Sequence, residues 1–198
     1  IGWYRKSFNV PTEWKNKNVS IYFEGVYMNS EVFINGKSLG VYPYGYSSFG
    51  YDLTPYLRAG QENVIAVRVD NSQQVNCRWY SGSGIYRHVW MMVENPLHIA
   101  RWGVGITTPE VSARKARVQI KTVVRNETSL PQRVTVKTVL VDKNGKKSGI
   151  QQTSIELAAN SEKDVAQTIA VSNPLLWSPE SPNLYKAEIE VVNGKQAV

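Results

Sequence analysis

Carboxylates are the first residues whose chemistry has to be placed. Cleaving an acetal by general acid and nucleophile needs two of them flanking one bond, about 5–5.5 Å apart when configuration is retained. The acids of this chain are scattered: Glu24 and Glu31 flank an apparent turn, Asp52 and Asp70 sit beside strand ends, and Glu188 and Glu190 alternate on a solvent-facing segment. None stands in an apolar run that would raise its pKa for acid duty, so each reads as a surface or turn acid. A Ser-His-acid relay meets a similar obstacle, because the two histidines, His88 and His98, fall in strand-like stretches and read as structural. They also lack zinc-ligand spacing and a nearby acidic cluster, so no metal and no cofactor is expected. Gly82-Ser83-Gly84 has the glycines of a phosphate loop, but residues 85–90 read as a strand where a helix would be needed. No catalytic residue is assigned, and the chain alone is expected to catalyse nothing.

The stretch from Asp70 to Tyr86 carries a different chemistry. Sugar rings present apolar faces that stack on Trp and Tyr, while their hydroxyls ask for Asn, Asp, Arg and Ser. Asp70-Asn71-Ser72 ends a strand, Arg78-Trp79-Tyr80 follows in a loop, and Gly82 and Gly84 let the backbone fold tightly before the next strand. Two readings stay open: contact with a sugar, or packing of Trp79, Tyr80 and Trp90 into the core or against a neighbouring domain.

The elements that hold these residues are strands. Apolar residues recur with period two at Val19, Ile21, Phe23; at Ile65, Val67, Val69; at Val118, Ile120, Thr122, Val124; at Val134, Val136, Thr138, Leu140; at Val165, Gln167, Ile169, Val171; and at Ala187, Ile189, Val191. Asn35-Gly36 and Asn144-Gly145 supply the positive φ angles of tight hairpins, the first between 31–34 and 39–41. Thr54-Pro55 reads as an N-cap and a first-turn proline for a short helical turn at 55–57. Character changes near Asn95-Pro96-Leu97-His98: the first half is rich in Tyr and Trp, the second plainer in Val, Thr and Lys. The expected architecture is all-β, with a jelly-roll sandwich over 1–99 and an immunoglobulin-like sandwich without a disulfide over 100–198.

Composition narrows the function classes. At 198 residues, 42% hydrophobic and 20% charged, the chain is neither disordered nor membrane-spanning by content, and no run approaches the ~20 apolar residues of a spanning helix. Cys77 is the single cysteine, so redox chemistry leaves the compartment unknown. The net charge of +7 lies mostly in the second half, where Lys121, Arg125, Lys137 and Lys143 take outward strand and turn positions. That is a solvated face, not a nucleic-acid footprint. The opening Ile1-Gly2-Trp3-Tyr4-Arg5 reads as a strand, so a natural N-terminus and any targeting signal are expected upstream, with an extracytoplasmic location favoured over a cytoplasmic one. Asn18-Val19-Ser20 and Asn126-Glu127-Thr128 are glycosylation acceptors only on a eukaryotic secretory route.

One segment is more specific than any composition. Arg78-Trp79-Tyr80-Ser81-Gly82-Ser83-Gly84-Ile85-Tyr86-Arg87-His88-Val89-Trp90 resembles the signature of the sugar-binding domain of glycoside hydrolase family 2, which includes β-galactosidases, β-glucuronidases and β-mannosidases. Gly2-Trp3-Tyr4-Arg5-Lys6-Ser7-Phe8 resembles the family's first strand, Phe23-Glu24-Gly25-Val26 with Val32-Phe33-Ile34-Asn35-Gly36 its hairpin, and Leu176-Trp177-Ser178-Pro179-Glu180-Ser181-Pro182-Asn183-Leu184-Tyr185 the segment closing its immunoglobulin-like domain. The resemblance implies that the jelly roll is galactose-binding-like and that the chain is the non-catalytic front of a retaining β-galactosidase, placed before a C-terminal (β/α)8 barrel that carries both catalytic glutamates and the β-galactoside. It implies rim contacts to substrate from Asp70, Asn71, Arg78 and Trp79. Nucleic acid and membrane are not among the expected partners, and assembly into a homo-oligomer is left open. Two rivals are kept: a stand-alone carbohydrate-binding or adhesion module gripping a glycan with Tyr42, Tyr44, Tyr46 and Trp79, and a structural spacer that binds none.

Overall fold

Burial alternates along residues 18–23, 30–34, 115–126 and 161–172 of an all-β chain whose computed structural model describes residues 1–73, 81–194 and 196–197. Its contacts separate into two compact units, Ile1–Asn95 and Pro96–Val198.

The first unit is a jelly-roll sandwich. Its strands are β1 (Gly2–Asn9), β2 (Asn18–Phe23), β3 (Val26–Tyr27), β4 (Ser30–Ile34), β5 (Lys37–Tyr42), β6 (Phe49–Asp52), β7 (Glu62–Val69), β8 (Gly84–Ile85) and β9 (Val89–Glu94). They pair antiparallel as β1-β7-β4-β5 and β6-β2-β9, with β3-β8 as a short third ladder. Val19, Ile21 and Phe23 of β2 face Val32 and Ile34 of β4 and Val67 and Val69 of β7 in one core. The aromatic rings of Phe23 and Tyr42 both stack on Phe49, at 4.9 and 4.3 Å between centroids. At the Asn35-Gly36 turn both residues take positive φ, 52° and 85°, as a tight right-twisted hairpin requires. Asn35 also donates to Tyr56 O and to Asn63 Oδ1. The fully buried Asn63 in turn bonds Arg58 N, Arg58 O and Gln61 O, which satisfies its whole amide.

The second unit is an immunoglobulin-like sandwich of β10 (Leu97–Val111), β11 (Lys115–Asn126), β12 (Gln132–Val141), β13 (Lys147–Leu157), β14 (Ser161–Ser172), β15 (Lys186–Asn193) and β16 (Gln196–Ala197). Sheet β10-β11-β14 packs on sheet β13-β12-β15-β16, with Val124, Val134, Val136, Val165 and Val191 between them. Gln167 of β14 spans the two: it accepts from Thr138 Oγ1 at 2.5 Å and donates to Val136 O at 3.0 Å.

Four local expectations are corrected. Residues 85–90 are not one strand: β8 pairs with β3 and β9 with β2, with a bend between them. Tyr86 makes the break, its ring lying against Gly25 and its hydroxyl donating to Gly45 O at 2.8 Å. The helical turn is Thr54–Tyr56, with Leu53 as its N-cap. Thr54 Oγ1 is instead spent on the backbone of Val19, accepting from N at 2.9 Å and donating to O at 3.3 Å. At Asn144-Gly145 only the glycine takes positive φ, 80°, because Asp142 Oδ1 accepts from Asn144 N and Lys146 N and holds a wider turn. Asn126 is no glycosylation acceptor in this fold, being fully buried with Nδ2 donating to Leu130 O and Ala158 O.

Candidate functional site

Asp70 and Asn71 leave the end of β7 and stand next to the start of β8. Asp70 is a brace. Its Oδ2 accepts from Arg68 Nη2 at 2.7 Å, and its Oδ1 accepts from Ser72 Oγ at 2.6 Å and Ser72 N at 3.1 Å. Those Ser72 hydrogen bonds, assisted by the Arg68 charge, hold the carboxyl below its ordinary range against the opposing effect of burial. The Asp70 backbone is tied as well, N to Met28 O and O to Asn29 Nδ2. Asn71 donates from Nδ2 to Ser83 Oγ at 2.8 Å. It lines a cleft of about 260 Å³ with Tyr4, Val69, Ser83 and Gly84. Gly84 has φ of 113°, and a Cβ there would stand 2.1 Å from Tyr4 Oη. Only glycine fits, and the same hydroxyl accepts from Ile85 N at 3.3 Å. Arg78 and Trp79, the other two expected rim residues, and their neighbours Cys77 and Tyr80 lie outside the described residues.

A second cluster escaped the sequence reading. Glu24 accepts from Trp90 Nε1 at 2.8 Å on one carboxylate oxygen and lies 3.2 Å from His88 Nδ1 on the other. The His88 and Trp90 rings are 5.5 Å apart. Trp90's hydrogen bond is the main cause of a lowered Glu24 pKa, with burial opposing it and His88 adding to it. The pairing of Phe23 with Val89 creates this cluster, and a strand register between residues so distant in sequence has no local sign.

The other singled-out residues are engaged in structure. Glu31 accepts from Ser38 Oγ, and Asp52 accepts from Thr54 N. Glu188 and Glu190 pair with Lys186 and Lys137. Lys121 pairs with Asp164, and Arg125 with Glu162 and Glu127. The three tyrosines divide: Tyr42 packs on the core with its hydroxyl on Ser47 Oγ, whereas Tyr44 and Tyr46 are more than half exposed and meet edge to face at 5.8 Å.

Comparison with known proteins accounts for both units. Residues 1–96 match "Glycosyl hydrolases family 2, sugar binding domain", and residues 98–198 match "Glycosyl hydrolases family 2". The chain belongs to glycosyl hydrolase family 2. Beta-galactosidase BoGH2A of Bacteroides ovatus is 46% identical over 198 residues, 100% of this chain and 23% of that protein. A beta-glucuronidase of Formosa agariphila is 32% identical over 204 residues, 93% of this chain and 21% of that protein. The crystal structure of a family 2 member from Bacteroides cellulosilyticus superposes with a TM-score of 0.95 at 37% identity, over 98% of this chain and 27% of that one. The family 2 chain thus spans between about a fifth and a quarter of the length of these two curated relatives. Of the segment that carries the family resemblance, residues 81–90 fall on the corner where Asn71, Ser83 and Gly84 meet and on the Glu24-His88-Trp90 cluster.

Proposed function

We propose that this chain is the non-catalytic support of a retaining β-galactosidase, two sandwiches that orient and wall the active site of a (β/α)8 barrel in the same polypeptide. The observation that carries the reading is the Asp70-Asn71 corner. A carboxylate braced by Arg68 and Ser72 fixes the backbone from which Asn71 enters its cleft, directly before the segment that holds Arg78 and Trp79. A rigid scaffold presenting polar and aromatic groups from a loop is how binding residues are commonly held. In this reading the barrel supplies both carboxyl groups of the double displacement. Asn71, Arg78 and Trp79 touch the sugar at the rim, and Asp70 fixes the backbone that leads into Asn71. Rim contacts of this kind act by placement and transfer no proton. The galactoside specificity draws its support from the identity to BoGH2A over the whole chain.

Steady-state kinetics of the full polypeptide on 4-nitrophenyl β-galactoside test the rim. Asn71→Ala and Trp79→Ala are expected to lower kcat/KM about tenfold, or ~1.4 kcal/mol of transition-state binding. Unchanged kcat/KM in both would remove the rim role. The second reading, a β-glucuronidase, has support in the Formosa relative. It predicts turnover of the aryl glucuronide in preference to the galactoside.

A further inference from the structure

The outer face of sheet β1-β7-β4-β5 carries a second cleft. Alternation sends Phe8, Val67, Val69 and Val32 to the core, so Trp3 and Arg5 of β1, Val64 and Ala66 of β7, and Phe33 of β4 stand on the opposite face. Pairing places Arg5 beside Ala66, and Ala66 beside Phe33. The Trp3 and Phe33 rings meet at 5.7 Å with a 33° tilt. They form an aromatic shelf over a floor of small side chains, and Trp3 is 61% exposed. Arg58 and Glu62 complete the rim of a space of about 510 Å³, within the ~300–1,000 Å³ of small-ligand sites.

Charge decides what such a cleft would take. Two arginines line it against one acid, and Glu62 already accepts from Ser7 Oγ at 3.2 Å. Among the described residues neither Arg5 nor Arg58 forms an ion pair. An aromatic shelf accepts the apolar face of a pyranose, and a guanidinium fork accepts a carboxylate in two parallel hydrogen bonds. We propose that this cleft is a glycan-binding site for a pyranose bearing a carboxylate, a uronic acid unit, separate from the cleft at Asn71. The two clefts share no lining residue, and the proposal stands whether or not the chain serves a galactosidase.

The test is a titration of the 198-residue protein with methyl β-D-glucuronide and with methyl β-D-glucoside, the same ring without the carboxylate, followed by NMR of the indole N–H resonances. The Trp3 resonance is assigned by its loss in Trp3→Phe. The expected result is a saturable shift of that resonance with the glucuronide, at least tenfold tighter than with the glucoside. Arg5→Gln and Arg58→Gln should each weaken it severalfold, with the remaining resonances unmoved as evidence that the fold is kept. A Trp3 resonance that ignores the glucuronide, equal affinity for both sugars, or binding unaffected by both arginine substitutions would overturn the proposal.

Discussion

In sequence Glu24 reads as an acid beside a turn and Asp70 as a strand-end acid and expected rim residue, and in the fold each carboxylate is tied by hydrogen bonds to its neighbours. The types were legible because neither sits in an apolar run. The partners were not, because Trp90 reaches Glu24 through the register of β2 with β9 and not through local spacing. Each carboxyl has a folded pKa below its ordinary value, chiefly through hydrogen bonds from Trp90 and Ser72 respectively. A depressed carboxyl contributes stability in full above its unfolded value, about 3.9 for Asp and 4.3 for Glu, and loses it as pH falls through the lower folded value. Tryptophan emission should therefore change as pH falls below about 4.3, where protonation of Glu24 loosens the Trp90 indole. Glu24→Gln should flatten that part of the titration. A change of emission at the same pH in Glu24→Gln would detach it from this pair. Thr122 gives a prediction of opposite sign. Its side chain is fully buried, and Oγ1 has no hydrogen-bond partner among the described residues. Thr122→Val should raise the stability of the second unit by roughly 1 kcal/mol, read from urea denaturation.

At the scale of elements, period-two alternation located β2, β7, β11, β12, β14 and β15, because a half-buried strand writes its two faces into sequence. Asn35-Gly36 was legible for the same reason: few residue pairs tolerate two positive φ angles in succession. The bend at 86–88 was not legible. Nothing in Ile85-Tyr86-Arg87-His88-Val89-Trp90 interrupts a strand pattern, and only the docking of Tyr86 against Gly25 and Gly45 O splits it. Thr54 misled for a related reason, since a hydroxyl before proline looks like a cap until β2 comes close enough to claim it. Two substitutions probe these elements. Asn63→Ala takes away the partner of Arg58 N, Arg58 O, Gln61 O and one N–H of the Asn35 amide. It should cost about 1–3 kcal/mol in denaturant unfolding of the first unit. Gly84→Ala forces a Cβ onto Tyr4 Oη in a backbone region that L residues avoid. A loss of order 1–3 kcal/mol is expected, with Tyr4→Phe restoring part of it if that collision is the cause.

Across the whole molecule, fold class came from strand patterning and the change of composition near Asn95, and family came from one thirteen-residue signature that periodicity alone would never have singled out. On the proposed reading, what the chain does for a substrate depends on how a few side chains at one corner are held. Asn71 was legible there as a polar residue at a strand end. The bracing of Asp70 was not, because it needs Arg68 on the strand and Ser72 beyond it to converge. The account makes these two sandwiches a support whose chemistry lies elsewhere in the same polypeptide. The direct measurement compares the 198-residue chain with the product of the entire reading frame that contains it, both assayed on 4-nitrophenyl β-galactoside, with the anomeric form of the released sugar followed by proton NMR. The account predicts no turnover by the chain alone, and turnover by the longer product with the β-anomer appearing first, as retention requires. Turnover by the isolated chain, or a longer product that releases the α-anomer first or leaves the galactoside intact, would contradict it.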